Sequence, residues 1–129
     1  MSDTYRFHKV VADLQGQKLV VIGKPGVWSR DAVNPGTAAL LGIPRFAPGM
    51  SVLDLGCGTG VIGAFAAGAV QEGRVALTDC NGVAVACAKR TLDANGVGNA
   101  RVVRGDGVEG LNWGSYDLVL SHLPRGRQV

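Results

Sequence analysis

The sequence predicts an α/β fold, a doubly wound parallel sheet preceded by a short β-containing N-terminal extension. Three observations carry this prediction. Short, β-branched apolar runs alternate with Ala-rich segments of helical length across brief connections. One run, Met50–Gly63 (M-S-V-L-D-L-G-C-G-T-G-V-I-G), breaks at Gly56, Gly58 and Gly60 before a second apolar run begins at Val61. The core runs end in polar chemistry: Asp54/Gly56, Asp79, Asp106 and Ser121/His122. In a parallel sheet these ends share one edge, where ligands bind at the switch point.

The elements follow in order. Residues 1–16 are polar and mixed and read as a loosely held lead-in. Lys18–Val27 predicts a strand over Leu19–Ile22 and then a Gly/Pro turn. Trp28–Pro35 reads as a loop, and Gly36-Thr37 leads into a short helix over Ala38–Leu41. Gly42–Gly49 carries two prolines and returns the chain to the strand around Val52, Leu53 and Leu55. That strand suits burial on both faces. Its exception is Asp54, costly to bury ionised unless something there needs an acceptor.

After Gly60 a helix runs to about Val70 and ends at Gln71-Glu72-Gly73. Arg74–Asp79 is a strand that terminates in an acid. Asn81 caps a helix over Gly82–Ala94, and Asn95-Gly96 supplies the left-handed stop. Arg101–Arg104 is a third core strand, followed by Gly105-Asp106-Gly107. Tyr116–Ser121 is the fourth, followed by His122-Leu123-Pro124 and a basic tail.

At 129 residues, 47% hydrophobic and 18% charged, the composition is that of one soluble domain with a modest core. No apolar run spans a bilayer and Met1–Arg6 is too polar for a signal peptide, so the expected location is cytoplasmic, with no membrane partner. Cys57, Cys80 and Cys87 are odd in number without a C-x-x-C pair, which indicates neither disulfides nor a metal site. The net charge of +3 tolerates a phosphate-rich partner without requiring one.

Gly58-Thr59-Gly60-Val61-Ile62-Gly63 matches G-x-G-x-x-G, with Asp79 at ribose-binding distance, so a nicotinamide or flavin site stays open on that pattern. Two features favour a different ligand. Asp54 lies two residues before the first glycine, where it suits a cation and not a pyrophosphate. Asp106 adds a third acid after the third core strand. A ligand with an amine, a ribose diol and an adenine could use all three, which describes S-adenosylmethionine better than NAD.

Asp54-Leu55-Gly56-Cys57-Gly58-Thr59-Gly60 resembles the first motif of the class I S-adenosylmethionine-dependent methyltransferases. Pro25-Gly26-Val27-Trp28-Ser29, with Asn34-Pro35-Gly36-Thr37 and Leu40-Leu41, is similar to the lead-in of the methyltransferase small domain subgroup, and Asp117–Ser121 falls at its catalytic strand. The subgroup includes ribosomal-RNA guanine-N2 and release-factor glutamine methyltransferases. The resemblance implies a Rossmann-like sheet, truncated after its fourth core strand. It implies residues 1–49 as extension and lead-in, and residues 50–129 as the partial cofactor-binding domain.

The resemblance also implies roles. Asp54, Gly56, Cys57, Gly58 and Gly60 would hold the methionine moiety, and Thr37 would sit near its carboxylate. Asp79 would accept from the ribose hydroxyls and Asp106 would contact the adenine amine. The plain alternatives are a helix cap for Asp79 and a turn residue for Asp106.

Two departures qualify the match. The subgroup follows its fourth strand with Asn-Pro-Pro and an aromatic residue, where this chain has His122, Leu123, Pro124 and Arg125. His122 and Pro124 then stand where the family orients its nitrogen acceptor, or His122 is an ordinary loop residue. The family sheet also continues beyond the fourth strand, so the outer edge here is expected to be unpaired. A fragment or a naturally reduced form is preferred, and completion by a homodimer partner is the third explanation. The expected function is methyl transfer from S-adenosylmethionine to a nitrogen of an RNA base or a protein side chain. The alternatives are a non-catalytic cofactor-binding module and, behind it, an NAD-dependent oxidoreductase.

Overall fold

The structure, a computed structural model, describes residues 6–27, 37, 40–42, 44–105 and 113–121. Strands β1 (His8–Leu14) and β2 (Gln17–Gly23) form an antiparallel hairpin in register from His8↔Gly23 to Leu14↔Gln17. The expectation of a loose lead-in is therefore corrected: residues 8–14 are a fully paired strand. Gln15 and Gly16 both take positive φ, 51° and 81°, the two-residue turn whose twist matches a hairpin. Two things hide β1 in the sequence. Its turn is Gln-Gly and not Asn-Gly, and Val11 blurs the alternation by pointing outward at 59% exposure while Ala12 and Leu14 are buried.

Strands β3 (Ser51–Leu55), β4 (Arg74–Asp79), β5 (Ala100–Arg104) and β6 (Leu118–Ser121) form one parallel sheet in the order β5-β4-β3-β6. Helices α1 (Val61–Val70) and α2 (Gly82–Ala94) connect β3 to β4 and β4 to β5. Both crossovers step the same way across the sheet, so right-handedness puts both helices on one face. There Val52, Val75, Leu77 and Leu120 meet Ala64, Ala67, Ala88 and Leu92. On the other face Leu53 and Ala76 are buried, while Val103 and Val119 on the two outer strands remain 41% and 38% exposed. Among the described residues, β6 has no strand partner on its outer side.

The hairpin forms a third layer. Ala12, Leu14, Leu19 and Val21 belong to the same apolar cluster as the helices and the sheet. This explains the composition of α1, V-I-G-A-F-A-A-G-A-V, which lacks a polar face because a β layer lies on either side of it. Its end is capped from a distance: the Asn99 side-chain amide donates to the carbonyls of Ala67 (3.0 Å), Gln71 (2.8 Å) and Gly73 (3.2 Å).

Helix α2 begins as expected at Asn81, whose side chain accepts from the Val83 N–H. It stops where Gly96 turns left-handed, at φ 65°. Asn95 has a further task. Its Oδ1 accepts from the Val20 N–H at 2.8 Å and its Nδ2 donates to the Val20 carbonyl at 2.7 Å. Thr91 Oγ1 accepts from the Ile22 N–H. Thr91 on α2 and Asn95 at its C-cap thus stand in for a strand along the free edge of β2, which is otherwise open to pairing with another chain.

Candidate functional site

The carboxyl end of β3 runs into a loop of glycines, and the structure divides them between two tasks. Gly56 (φ +65°) and Gly58 (φ +54°) take left-handed conformations, and nothing lies within 4 Å of where a Cβ would stand. Bare backbone therefore faces open space there. At Gly60 (φ +82°) a Cβ would stand 2.9 Å from that of Ala88, and at Gly63 one would stand 2.4 Å from Leu77 Cδ2. These two glycines let the loop approach α2 and let α1 approach β4. The first pair leaves room for a ligand and the second pair closes the packing behind it.

Two carboxylates organise the loop. Asp54 is 1% exposed, and its Oδ2 accepts from the Gly63 N–H in the first turn of α1 at 3.0 Å. No acidic side chain sits within the first turn of α1 itself, so Asp54 serves the positive end of the helix from below. Burial pushes its carboxyl up to about 7, against the lowering effect of the Gly63 hydrogen bond, and the neighbouring charge of Asp79 raises it further.

Asp79, at the end of β4, is half-buried and bridges two loops. Its Oδ2 accepts from the Gly58 N–H at 3.0 Å and its Oδ1 from the Asn81 N–H at 2.9 Å. A carboxylate has about four lone-pair sites, so these two bonds leave acceptor capacity. The helix-cap alternative is realised in part, because one oxygen serves the start of α2.

Cys57 is buried between these acids. Its N–H donates to the Thr78 carbonyl at 2.9 Å and its own carbonyl accepts from Gly60 at 2.8 Å, which closes the turn. Burial first, then the charges of Asp54 and Asp79, push its thiol far above the ordinary range. It remains a neutral packing group and not a nucleophile.

The structure thus brings Asp54, Gly56, Cys57, Gly58, Gly60 and Asp79 together at one edge of the sheet. Gly105 joins them, its N–H donating to the Asp79 carbonyl at 3.1 Å. Thr37 is buried in a helical turn. Asp106, His122 and Pro124 lie outside the described residues. Sequence reasoning missed the structural task of Gly63; its signal was present, as the third glycine of G-x-G-x-x-G. A groove of about 590 Å³, lined in part by Arg74, Asn99, Arg101 and Tyr116, opens at the amino ends of the strands, away from these acids. No group of three or more His, Cys, Asp or Glu among the described residues is arranged to hold a metal ion, and no described helix is long and apolar enough to cross a membrane.

Known proteins are similar to this chain in sequence and in fold. The family model of the methyltransferase small domain matches residues 18–125. Over 111 residues the chain is 40% identical to a ribosomal RNA small subunit methyltransferase C of Pseudomonas entomophila, covering 86% of this chain and 33% of that protein. Over 121 residues it is 37% identical to a ribosomal RNA large subunit methyltransferase G of Streptomyces avermitilis, covering 93% and 31%. The chain spans about a third of the length of these curated relatives.

Among solved structures, a tRNA (uracil-54) methyltransferase of Pyrococcus abyssi in complex with S-adenosyl-L-homocysteine aligns with a TM-score of 0.67 at 19% identity, over 91% of this chain and 28% of that one. A dimethyladenosine transferase of Plasmodium falciparum aligns with a TM-score of 0.61 at 22% identity, over 70% and 32%. These two likenesses establish the Rossmann-like fold.

Proposed function

Because the chain belongs to the methyltransferase small domain family, we propose that it binds S-adenosylmethionine and directs its methyl group to a nitrogen acceptor, with an RNA base as the favoured class. The observation that carries the reading is Asp79, a half-buried carboxylate with spare acceptor capacity, hydrogen-bonded to the bare glycine loop. The residues fit the group. Open space over Gly56 and Gly58 admits a ligand against backbone, and two acids suit a cation better than a pyrophosphate. When bound, the cofactor supplies an electrophilic methyl on a sulfonium.

The chain's own residues do the rest. Asp79 accepts from the ribose hydroxyls while it keeps the loop in register. Gly56, Cys57, Gly58 and Gly60 present backbone to the methionine part, with the Asp54 carboxyl beneath it. The family resemblance assigns Thr37 to the carboxylate of that part and Asp106 to the adenine amine. His122 and Pro124 hold the acceptor, so catalysis rests on positioning. The domain division at Gly49/Met50 belongs to this proposal, with residues 1–49 as extension and lead-in, of which the β1–β2 hairpin packs on the cofactor-binding part. RNA is favoured because the curated relatives are named as ribosomal RNA methyltransferases. A cytoplasmic setting goes with that substrate.

Thermal shift with S-adenosylhomocysteine tests the cofactor. At a hundredfold excess over Kd, linkage raises stability by about 2.7 kcal/mol. Wild type is expected to rise by several degrees and Asp79→Ala to stay flat. A flat wild type overturns the reading, and a rise with NAD in its place supports an oxidoreductase. The homodimer is retained for the outer edge of β6 alone. Sedimentation equilibrium showing a strict monomer removes it.

A further inference from the structure

Away from the glycine loop, one aromatic ring gathers two cations. The Lys24 ammonium lies 4.4 Å and the Arg90 guanidinium 3.9 Å from the centroid of the Phe7 ring. Lys24 follows β2, Arg90 is on α2, and Phe7 precedes β1, so three separate segments converge. Phe7 itself packs on Val27, Ala84 and Cys87, and that apolar seat fixes the ring and with it the two charges. The same proximity is felt at Cys87: burial raises its thiol, and Lys24 and Arg90 pull it back.

Among the described residues no carboxylate pairs with Lys24 or Arg90. The face of one ring attracts both cations but neutralises neither, so two like charges are held about 8 Å apart or less. Among the described residues the arrangement lacks an anion. The pair is tied to the site through α2: Ala88, two residues before Arg90 and so on the other side of that helix, packs against Gly60.

We infer that Lys24 and Arg90, seated on Phe7, form a contact point for the phosphodiester backbone of an RNA strand that passes beside the cofactor loop. This rests on RNA as the acceptor class and adds where the strand is held. Phosphate contacts position a nucleic acid without reading its sequence. The pair therefore affects affinity and salt dependence and leaves base choice to the loops beyond the strand ends.

The experiment measures binding of a fluorescently labelled RNA hairpin to the full chain across a salt series, by anisotropy. Each phosphate contact contributes about 0.7–0.9 to the slope of log K against log salt. Lys24→Ala with Arg90→Ala is expected to weaken binding roughly tenfold at low salt and to lower the slope by about 1–2. Lys24→Arg is expected to keep the slope. An unchanged affinity and slope in the double variant overturns the inference, as does a wild type that binds anionic vesicles but no RNA.

S-adenosylhomocysteine thermal shift on the same samples keeps the two proposals apart. A normal ligand shift without RNA binding defeats this contact and spares the cofactor reading. RNA binding that fails in the double variant, with no ligand shift in the wild type, does the reverse.

Discussion

The Asp79 carboxylate accepts a hydrogen bond from the Gly58 N–H at 3.0 Å, which ties the end of β4 to the loop leaving β3. The residue expected to read a ribose is thus also the residue that shapes the floor beneath the ligand. Any substitution there acts twice.

Asp79→Asn separates the two effects. The amide keeps one acceptor for the Gly58 or Asn81 N–H and loses the other, a cost of about 0.5–1.5 kcal/mol in the free protein. For a chain of this length that is a fall of a few degrees in Tm. The S-adenosylhomocysteine shift is expected to fall by much more, to a small fraction of the wild-type value. A full shift in Asp79→Asn would show that the carboxylate serves the loop alone.

Asp54 makes stability depend on pH. With its carboxyl pushed up to about 7 by burial, the folded chain holds a proton between about pH 4 and 7 that the unfolded chain has released. The folded state binds more protons in that window, so this contribution falls as pH rises and levels off above about 7. Three pKa units set an upper bound of about 4 kcal/mol. Asp54→Asn stays neutral throughout. The wild-type Tm minus the variant Tm is therefore expected to decrease between pH 4 and 7, as read by scanning calorimetry. A flat difference would mean that Asp54 is ionised in the folded chain across the range.

The glycines are expected to fail in two different ways. Gly63→Ala drives a Cβ into Leu77 and overpacks the core, costing about 1–3 kcal/mol. Gly58→Ala meets no neighbour, and its left-handed φ costs about 1–2 kcal/mol. Only Gly58→Ala also fills the space through which a ligand would approach. Denaturant titration should rank Gly63→Ala as at least equally destabilised. Ligand titration of the folded fraction should show the larger loss of affinity in Gly58→Ala.

Asn95→Ala removes both bonds to Val20 and leaves a partly buried N–H and C=O on β2 unpaired. Each orphaned group costs about 1–3 kcal/mol. Hydrogen exchange is expected to show the hairpin amides losing protection before those of β3 and β4. Uniform loss across the chain would mean that the hairpin has no independent opening.

Much of the core was legible because its signals are local. The strand–glycine–helix run at Met50–Gly63, the acid ending β4, the Asn81 cap and the Gly96 stop each follow from a few adjacent residues. The hairpin was half legible. Its second strand is a plain apolar run, while β1 alternates weakly and turns through Gln15-Gly16, so its pairing appears only when both strands are seen together.

The sequence by itself determined the sheet, its polar edge and the acids that mark it, because periodicity and strand-end chemistry are written within single elements. Tertiary structure alone decided how those residues are used. Asp54 serves the Gly63 amide, Asp79 serves Gly58, Asn95 imitates a strand for Val20, and Phe7 gathers Lys24 and Arg90. Each pairing joins residues from different elements, 9 to 75 positions apart where a hydrogen bond makes it. The physical reason is shared. A polar or charged group carries its capacity to pair in its own chemistry, but packing chooses the partner, and no local pattern records that choice.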